Sequence, residues 1–102
     1  MQKTYEELET LIIEWAEARQ IIQTATPTSQ LLKAFTEMGE LTDAHLKHDE
    51  AGIIDAIGDV LVCLINYSAI KKISVTGSLA SAYEQIKGRK GTLTPEGTFV
   101  KE

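Results

Sequence analysis

Along the first quarter of the chain, Leu8, Leu11, Ile12, Trp15, Ala18 and Ile22 recur at steps of three and four residues. That spacing is one face of a helix. Thr4 and Glu7 ahead of it have the T-x-x-E form of a capping box. A first helix is therefore predicted from Tyr5 to Gln23, ending before Pro27, which restricts the residue preceding it. A second helix is predicted to start near Thr28 or Ser29, either of which can cap it. Its apolar stripe is Leu31, Leu32, Phe35, Met38, Leu41 and His45 or Leu46. The polar run Lys47-His48-Asp49-Glu50 makes the connection, with Asp49 as the N-cap of the next helix.

The third segment, from about Glu50 to Lys72, has no polar face. Ile53, Ile54, Ile57, Val60 to Ile65 and Ile70 cover its whole circumference, and a helix apolar all round is buried between helices or in a subunit contact. The β-branched residues permit a strand, but the run is too long and lacks turn signals. Ile73 to Gly77 then reads as a turn, with Ser78 capping a fourth helix from Leu79 to about Lys87 and Gly88 or Gly91 ending it. The tail from Thr92 to Val100 has turn residues at its centre and is expected to form a small hairpin. The pattern predicts an all-α, four-helix bundle-like fold, with residues 1–102 forming one domain.

Composition narrows the classes. The formal charge of −5 disfavours a general nucleic-acid binder, although a divalent metal can reverse the local sign for a phosphate ligand. The single cysteine, Cys63, excludes an intrachain disulfide and a cysteine-based zinc site, and reads as a small buried hydrophobe. The N-terminal residues are acidic and polar, unlike a signal peptide, and the longest uninterrupted apolar run is too short for a membrane span. No membrane partner is expected, and the chain reads as cytoplasmic.

Against that background the carboxylates stand out. Between Ala51 and Ile70 the only charged side chains are Asp55 and Asp59, four residues apart on one helix face. A buried ionised carboxylate is costly by several kcal/mol unless it is paired or coordinated, to order of magnitude. The favourable dipole at a helix N-terminus accounts tolerably for Asp55 and poorly for Asp59. On the second helix Glu37 and Glu40 project together, with Lys33 one turn earlier. Alone, that pair reads as a solvated surface. Two consecutive antiparallel helices that each carry an acidic pair are another matter, because four such side chains converging make a site for a hard divalent cation.

These residues resemble the MazG-type nucleoside triphosphate pyrophosphohydrolases, an all-α group. The resemblance runs through Trp15-Ala16-Glu17-Ala18-Arg19, Leu32-Lys33, Glu37-Met38-Gly39-Glu40-Leu41 and Ile57-Gly58-Asp59-Val60-Leu61-Val62. It continues through Tyr83 to Gly91 and Phe99-Val100-Lys101-Glu102, as in compact single-domain members, many of them encoded by phages. The family pattern is E-x-x-E on one helix and E-x-x-D on the next. Glu37 and Glu40 match the first half and Asp59 the end of the second. Thr36 stands where many members carry a further Glu, and Ala56 stands where the second-helix Glu belongs, with Asp55 one residue earlier. A spacing of four is as co-facial on a helix as a spacing of three, so Asp55 is the candidate substitute.

The resemblance implies cleavage of a nucleoside or deoxynucleoside triphosphate between the α- and β-phosphates, giving a monophosphate and pyrophosphate. It implies Mg²⁺ as cofactor, with Mn²⁺ able to substitute, held by Glu37, Glu40, Asp55 and Asp59, with Glu37 or Glu40 orienting the attacking water. Lys87, Arg89 and Lys90 are candidates for the β- and γ-phosphates, with stabilisation of a helix C-terminus as the equally weighted alternative; Lys33 carries the same two readings. Trp15 either stacks on a base or belongs to the core. Asn66 contacts the sugar or a ligand carboxylate, or satisfies a buried neighbour. Tyr83 reads as core, and His45 and His48 receive no role. Members are typically dimers or dimers of dimers, so a homodimer or homotetramer is expected.

Two rivals share these features. A di-iron carboxylate bundle needs Glu-x-x-His on two helices, and no histidine here lies three residues after a glutamate. A non-enzymatic helical dimerisation module explains the apolar third helix and leaves Asp59 without a reason.

Overall fold

The computed structural model describes residues 2–102 as five helices and a two-stranded hairpin. Helix α1 (Tyr5–Ala18) opens on the Thr4–Glu7 capping box. It stops earlier than its apolar period predicts. Gln20 takes φ 64°, the chain turns, and a short helix α2 (Ile21–Thr24) follows. Helix α3 (Pro27–Leu46) starts at the proline, not after it. Thr26 is the N-cap, Pro27 fills the first turn where no N–H is needed, and Ser29 completes a reciprocal capping box.

Asp49 caps helix α4 (Glu50–Ile70) by accepting from the Gly52 amide at 3.0 Å. Helix α5 (Val75–Ile86) begins four residues before its predicted start, capped by Ser74, so Gly77 lies inside its first turn. Neither Gly88 nor Gly91 ends it; Lys87 is its C-cap and Gly91 opens strand β1 (Gly91–Leu93). Strand β2 (Phe99–Lys101) pairs antiparallel with it in the register Gly91–Lys101, Thr92–Val100, Leu93–Phe99. A turn at Thr94 to Gly97 joins them, with Gly97 at φ 90°. Gly91 has no alternative, because a Cβ there would collide with the Val100 carbonyl oxygen.

The non-glycine residues with positive φ share one role. Gln20, His48 and Lys72 each follow the C-cap of a long helix, α1, α3 and α4 respectively. At the last two, paired bonds close a Schellman motif: Asp49 N–H to Ala44 O at 2.9 Å, and Ile73 N–H to Ser68 O at 2.8 Å, each with its inner companion.

Helices α3 and α4 pack along their lengths, and this is the main contact of the fold. Their seam holds small residues: Ala34, Ala44, Ala56 and Cys63 are buried. Glycine at 52 belongs to the same close approach, since a Cβ there would sit 2.5 Å from Asp49 Oδ2 and 3.2 Å from Ala44 Cβ. Across the molecule, α1 is tied to α5 by Glu9. Its carboxylate accepts from Ser74 Oγ at 2.9 Å and from the Val75 amide at 2.6 Å, with only 7% of the residue exposed.

Within one chain the apolar third segment is buried only in part. Ala56, Cys63, Ile65 and Asn66 are, but Ile54 is 71% exposed and Ile57 and Leu61 are open on the same helix. With a mean hydropathy of 1.8, α4 is long and apolar enough by composition to cross a membrane, though Asp55 and Asp59 interrupt it. Tyr83, read from the sequence as core, is likewise exposed. The Cα radius of gyration is 16.2 Å, against roughly 13 Å for a compact domain of this length. One chain alone leaves these apolar faces uncovered.

Candidate active site

The α3–α4 seam carries the acids at one edge. Glu37 is half-buried, and its Oε2 is enclosed without a hydrogen-bond partner. Burial pushes its pKa up, the Glu40 carboxyl against it adds to this, and the charge of Asp59 on the facing helix pushes the same way; Lys33 opposes them. Cys63, 4% exposed and one turn beyond Asp59, feels the same neighbours. Burial raises its pKa most, Lys33 lowers it, and Glu37 and Asp59 raise it. Lys33, Glu37, Glu40, Asp59 and Cys63 thus occupy one neighbourhood across two helices.

Asp55 lies to the side of that group. It shares a groove with Asp59 and a smaller cavity with Glu40, but is not among the charges acting on Glu37. Among the described residues, no three acidic, histidine or cysteine side chains are close enough together to hold a metal ion as they stand. The donor chemistry nevertheless fits a hard cation. An enclosed carboxylate oxygen with no donor, pressed by two further carboxylates and opposed only by the charge of Lys33, lacks the direct partner that such a site normally requires.

Two larger concavities flank the acids. The first, about 640 Å³, is an apolar groove between α1, α4 and α5, walled by Leu8, Ile12, Leu61 and Leu79 with Asp55 and Asp59 on its edge. The second, about 530 Å³, lies between the α1–α2 turn, α3 and α4, and is lined by Trp15, Arg19, Gln30, Lys33, Cys63 and Asn66. Asn66 is 4% exposed and its Oδ1 has no partner. Arg19 lies over the Trp15 ring at 4.6 Å and donates to the Trp15 carbonyl oxygen at 3.3 Å.

Trp15, Lys33 and Asn66, three of the substrate-binding candidates, therefore share one cavity next to the acids. Lys87, Arg89 and Lys90 do not join them. Lys87 pairs with Glu84 on α5, and Arg89 and Lys90 line a shallow cavity with Lys101 and Glu102 at the hairpin. Among the described residues of one chain, α5 and the hairpin make no substantial contact with α3. The sequence pattern singles out neither Arg19 nor Glu9. Arg19 has a signal, its spacing of four from Trp15; Glu9 has none, because its partners lie 65 and 66 residues away.

No family model matches the chain. Over 54 residues it is 37% identical to an uncharacterized 18.2 kDa protein from the rep-hol intergenic region of Haemophilus phage HP1. That match covers 53% of this chain, which spans only about a third, 33%, of the relative's length. Among solved structures it is similar to a cyanophage S-2L MazG-like pyrophosphohydrolase bound to dGDP and three catalytic Mn²⁺ ions per active site. The superposition has a TM-score of 0.74 at 20% identity, over 100% of this chain and 96% of the other. The chain has a MazG-like fold.

Proposed function

We propose that this protein hydrolyses a nucleoside or deoxynucleoside triphosphate to the monophosphate and pyrophosphate, using Mg²⁺ or Mn²⁺. The observation that carries the reading is the enclosed, partnerless Oε2 of Glu37 set against Glu40 and Asp59, on a MazG-like fold. Glu37, Glu40 and Asp59 would hold the cation, with Asp55 at the edge shared with Glu40 and Asp59. When bound, a divalent cation neutralises phosphate oxygens and acidifies water at this point.

The chain's own groups supply the rest. Glu37 or Glu40 orients the water that attacks the α-phosphorus and takes its proton, the bond to the α,β-bridging oxygen breaks, and pyrophosphate leaves. Lys33, between the acids and the Asn66 cavity, meets the phosphate chain where it joins the nucleoside. Lys87, Arg89 and Lys90 reach the phosphates only from a second copy. A homodimer or homotetramer is part of this proposal, supported by the uncovered apolar faces of α4 and α5. The setting is the cytoplasm of a bacterial or phage-infected cell.

The test is a product assay with a panel of NTPs and dNTPs and Mg²⁺. Monophosphate with pyrophosphate is the expected outcome. Diphosphate with orthophosphate contradicts the proposed bond. Turnover of no nucleotide favours the second reading, a helical interaction module, for which the open Ile54, Ile57 and Leu61 face of α4 speaks.

A further inference from the structure

Three observations converge on Arg19. Helix α1 ends at Ala18, and the left-handed turn at Gln20 places α2 beside α4 and leaves Arg19 at the rim of the 530 Å³ cavity. The Arg19 guanidinium lies over the Trp15 ring, 4.6 Å from its centroid, and donates to the Trp15 carbonyl oxygen, so the cation is held against the indole. Neither Arg19 nor Lys33 forms an ion pair among the described residues, although the Lys33 charge is felt by Glu37, and no acid lines the cavity. Opposite them stands Asn66, nearly wholly buried, with an oxygen that lacks a donor. A base edge or a sugar hydroxyl supplies such a donor.

The cavity is far too large for a phosphate alone and falls within the range of sites for small organic ligands, about 300–1,000 Å³. A guanidinium is planar, weakly hydrated and stacks on aromatic faces. Held over the Trp15 ring at the cavity rim, it is placed to take a flat apolar group on its other side. We propose that the nucleobase of the substrate stacks on Arg19, with Trp15 as the support that holds the guanidinium flat. The proposal rests on the hydrolase reading for the identity of the ligand as a nucleotide. It replaces the expectation that the base stacks on Trp15 itself.

The experiment measures binding without turnover. The probes are α,β-methylene nucleoside triphosphates carrying the four common bases, and inorganic tripolyphosphate, each titrated calorimetrically with Mg²⁺ present. The chain has one tryptophan, so the emission of Trp15 reports whether the ligand occupies this cavity. In the unaltered protein, the tightest analogue is expected to change Trp15 emission saturably. Both Arg19→Ala and Arg19→Lys are expected to weaken the analogue about 5- to 100-fold, the range of one lost base-stacking contact. Both are expected to leave tripolyphosphate affinity within about twofold, because it lacks a base to stack.

Retention of affinity in Arg19→Lys assigns the residue to charge alone and overturns the proposal. So does a parallel loss of tripolyphosphate affinity, or analogue binding that leaves Trp15 emission unchanged. The two readings separate cleanly. An analogue that binds as described to a protein with no pyrophosphohydrolase turnover sinks the activity and keeps the Arg19 platform; turnover with unaffected binding in Arg19→Lys does the reverse.

Discussion

The α3–α4 pair and the α5–hairpin tail are built on opposite principles. The pair closes on alanines, with Ala34, Ala44 and Ala56 letting the backbones approach, and it keeps its large side chains and its acids at the margins. The tail has the large residues, Tyr83, Ile86, Leu93, Phe99 and Val100, and buries none of them within the chain. Charge divides the same way. Acids gather on α3 and α4, while Arg89, Lys90 and Lys101 gather at the hairpin. The seam of one half is thus finished within the chain, whereas the outer faces of α3 and α4 and the whole of the tail present apolar surface. Chemistry placed on the finished half needs no partner; a role for the tail in that chemistry does.

The largest effect expected from testing this division is on the finished half. Asp59→Asn is expected to cut turnover by at least about 100-fold while the circular dichroism spectrum and melting temperature stay near those of the parent, since one charge is removed without changing volume. If Asp59→Asn retains full activity, the acids are not the site. Next comes Ala44→Leu, which forces three extra carbons into the seam. It is expected to cost about 1–3 kcal/mol of stability by denaturant titration. A neutral result would mean that the helices do not meet on alanines.

Glu9 gives a pH-dependent test of how the tail is fastened to α1. Burial raises its carboxyl, but hydrogen bonds from Ser74, Val75 and Thr76 outweigh this and leave the pKa below the ordinary glutamate value. The stabilisation is therefore complete above the unfolded value and is lost as pH falls through the lower, folded one. Melting temperatures of Glu9→Gln and the parent should diverge at neutral pH and converge in acid. The smallest effect belongs to the tail: in Lys87→Ala/Arg89→Ala/Lys90→Ala, a change within about 0.5 kcal/mol in stability is expected, as for surface positions. Unchanged nucleotide turnover would leave the tail outside the site. A fall in turnover that tracks protein concentration would show a second copy carrying its tail to the acids.

How much of the structure was legible in the sequence depends on how local its causes are. The T-x-x-E box at Thr4, the Asp49 cap and the hairpin each depend on neighbours in the chain, and each stands as expected. The MazG-like fold was legible too, through residues spread over the four long helices and the tail. The early end of α1 and the residues at the helix stops were not. Sequence reading looks for glycine at a left-handed stop, and here Gln20, His48 and Lys72 occupy those positions. The start of α5 was misplaced at Ser78 because the decision lies with Ser74, whose hydroxyl and following amide are engaged by Glu9 from the other end of the chain. Within the site, the grouping of Glu37, Glu40 and Asp59 came from helical spacing. The displacement of Asp55 and the separation of Lys87, Arg89 and Lys90 required the tertiary fold, since no spacing rule says which element a helix end faces.

By joining residue 9 to residues 74 and 75, the Glu9 clasp closes a loop that contains α2, α3 and α4, and with them the acids and the Arg19 cavity. Val75, Thr76 and Leu79 of α5 also form part of the groove wall beside Asp55 and Asp59. Opening the clasp frees that wall without disturbing the α3–α4 seam. In hydrogen-exchange terms, the amides in the first turn of α5 should open as a unit separate from the seam, with a free energy that falls as Glu9 takes up its proton. A single carboxylate thereby fastens the α5 wall of the groove to α1.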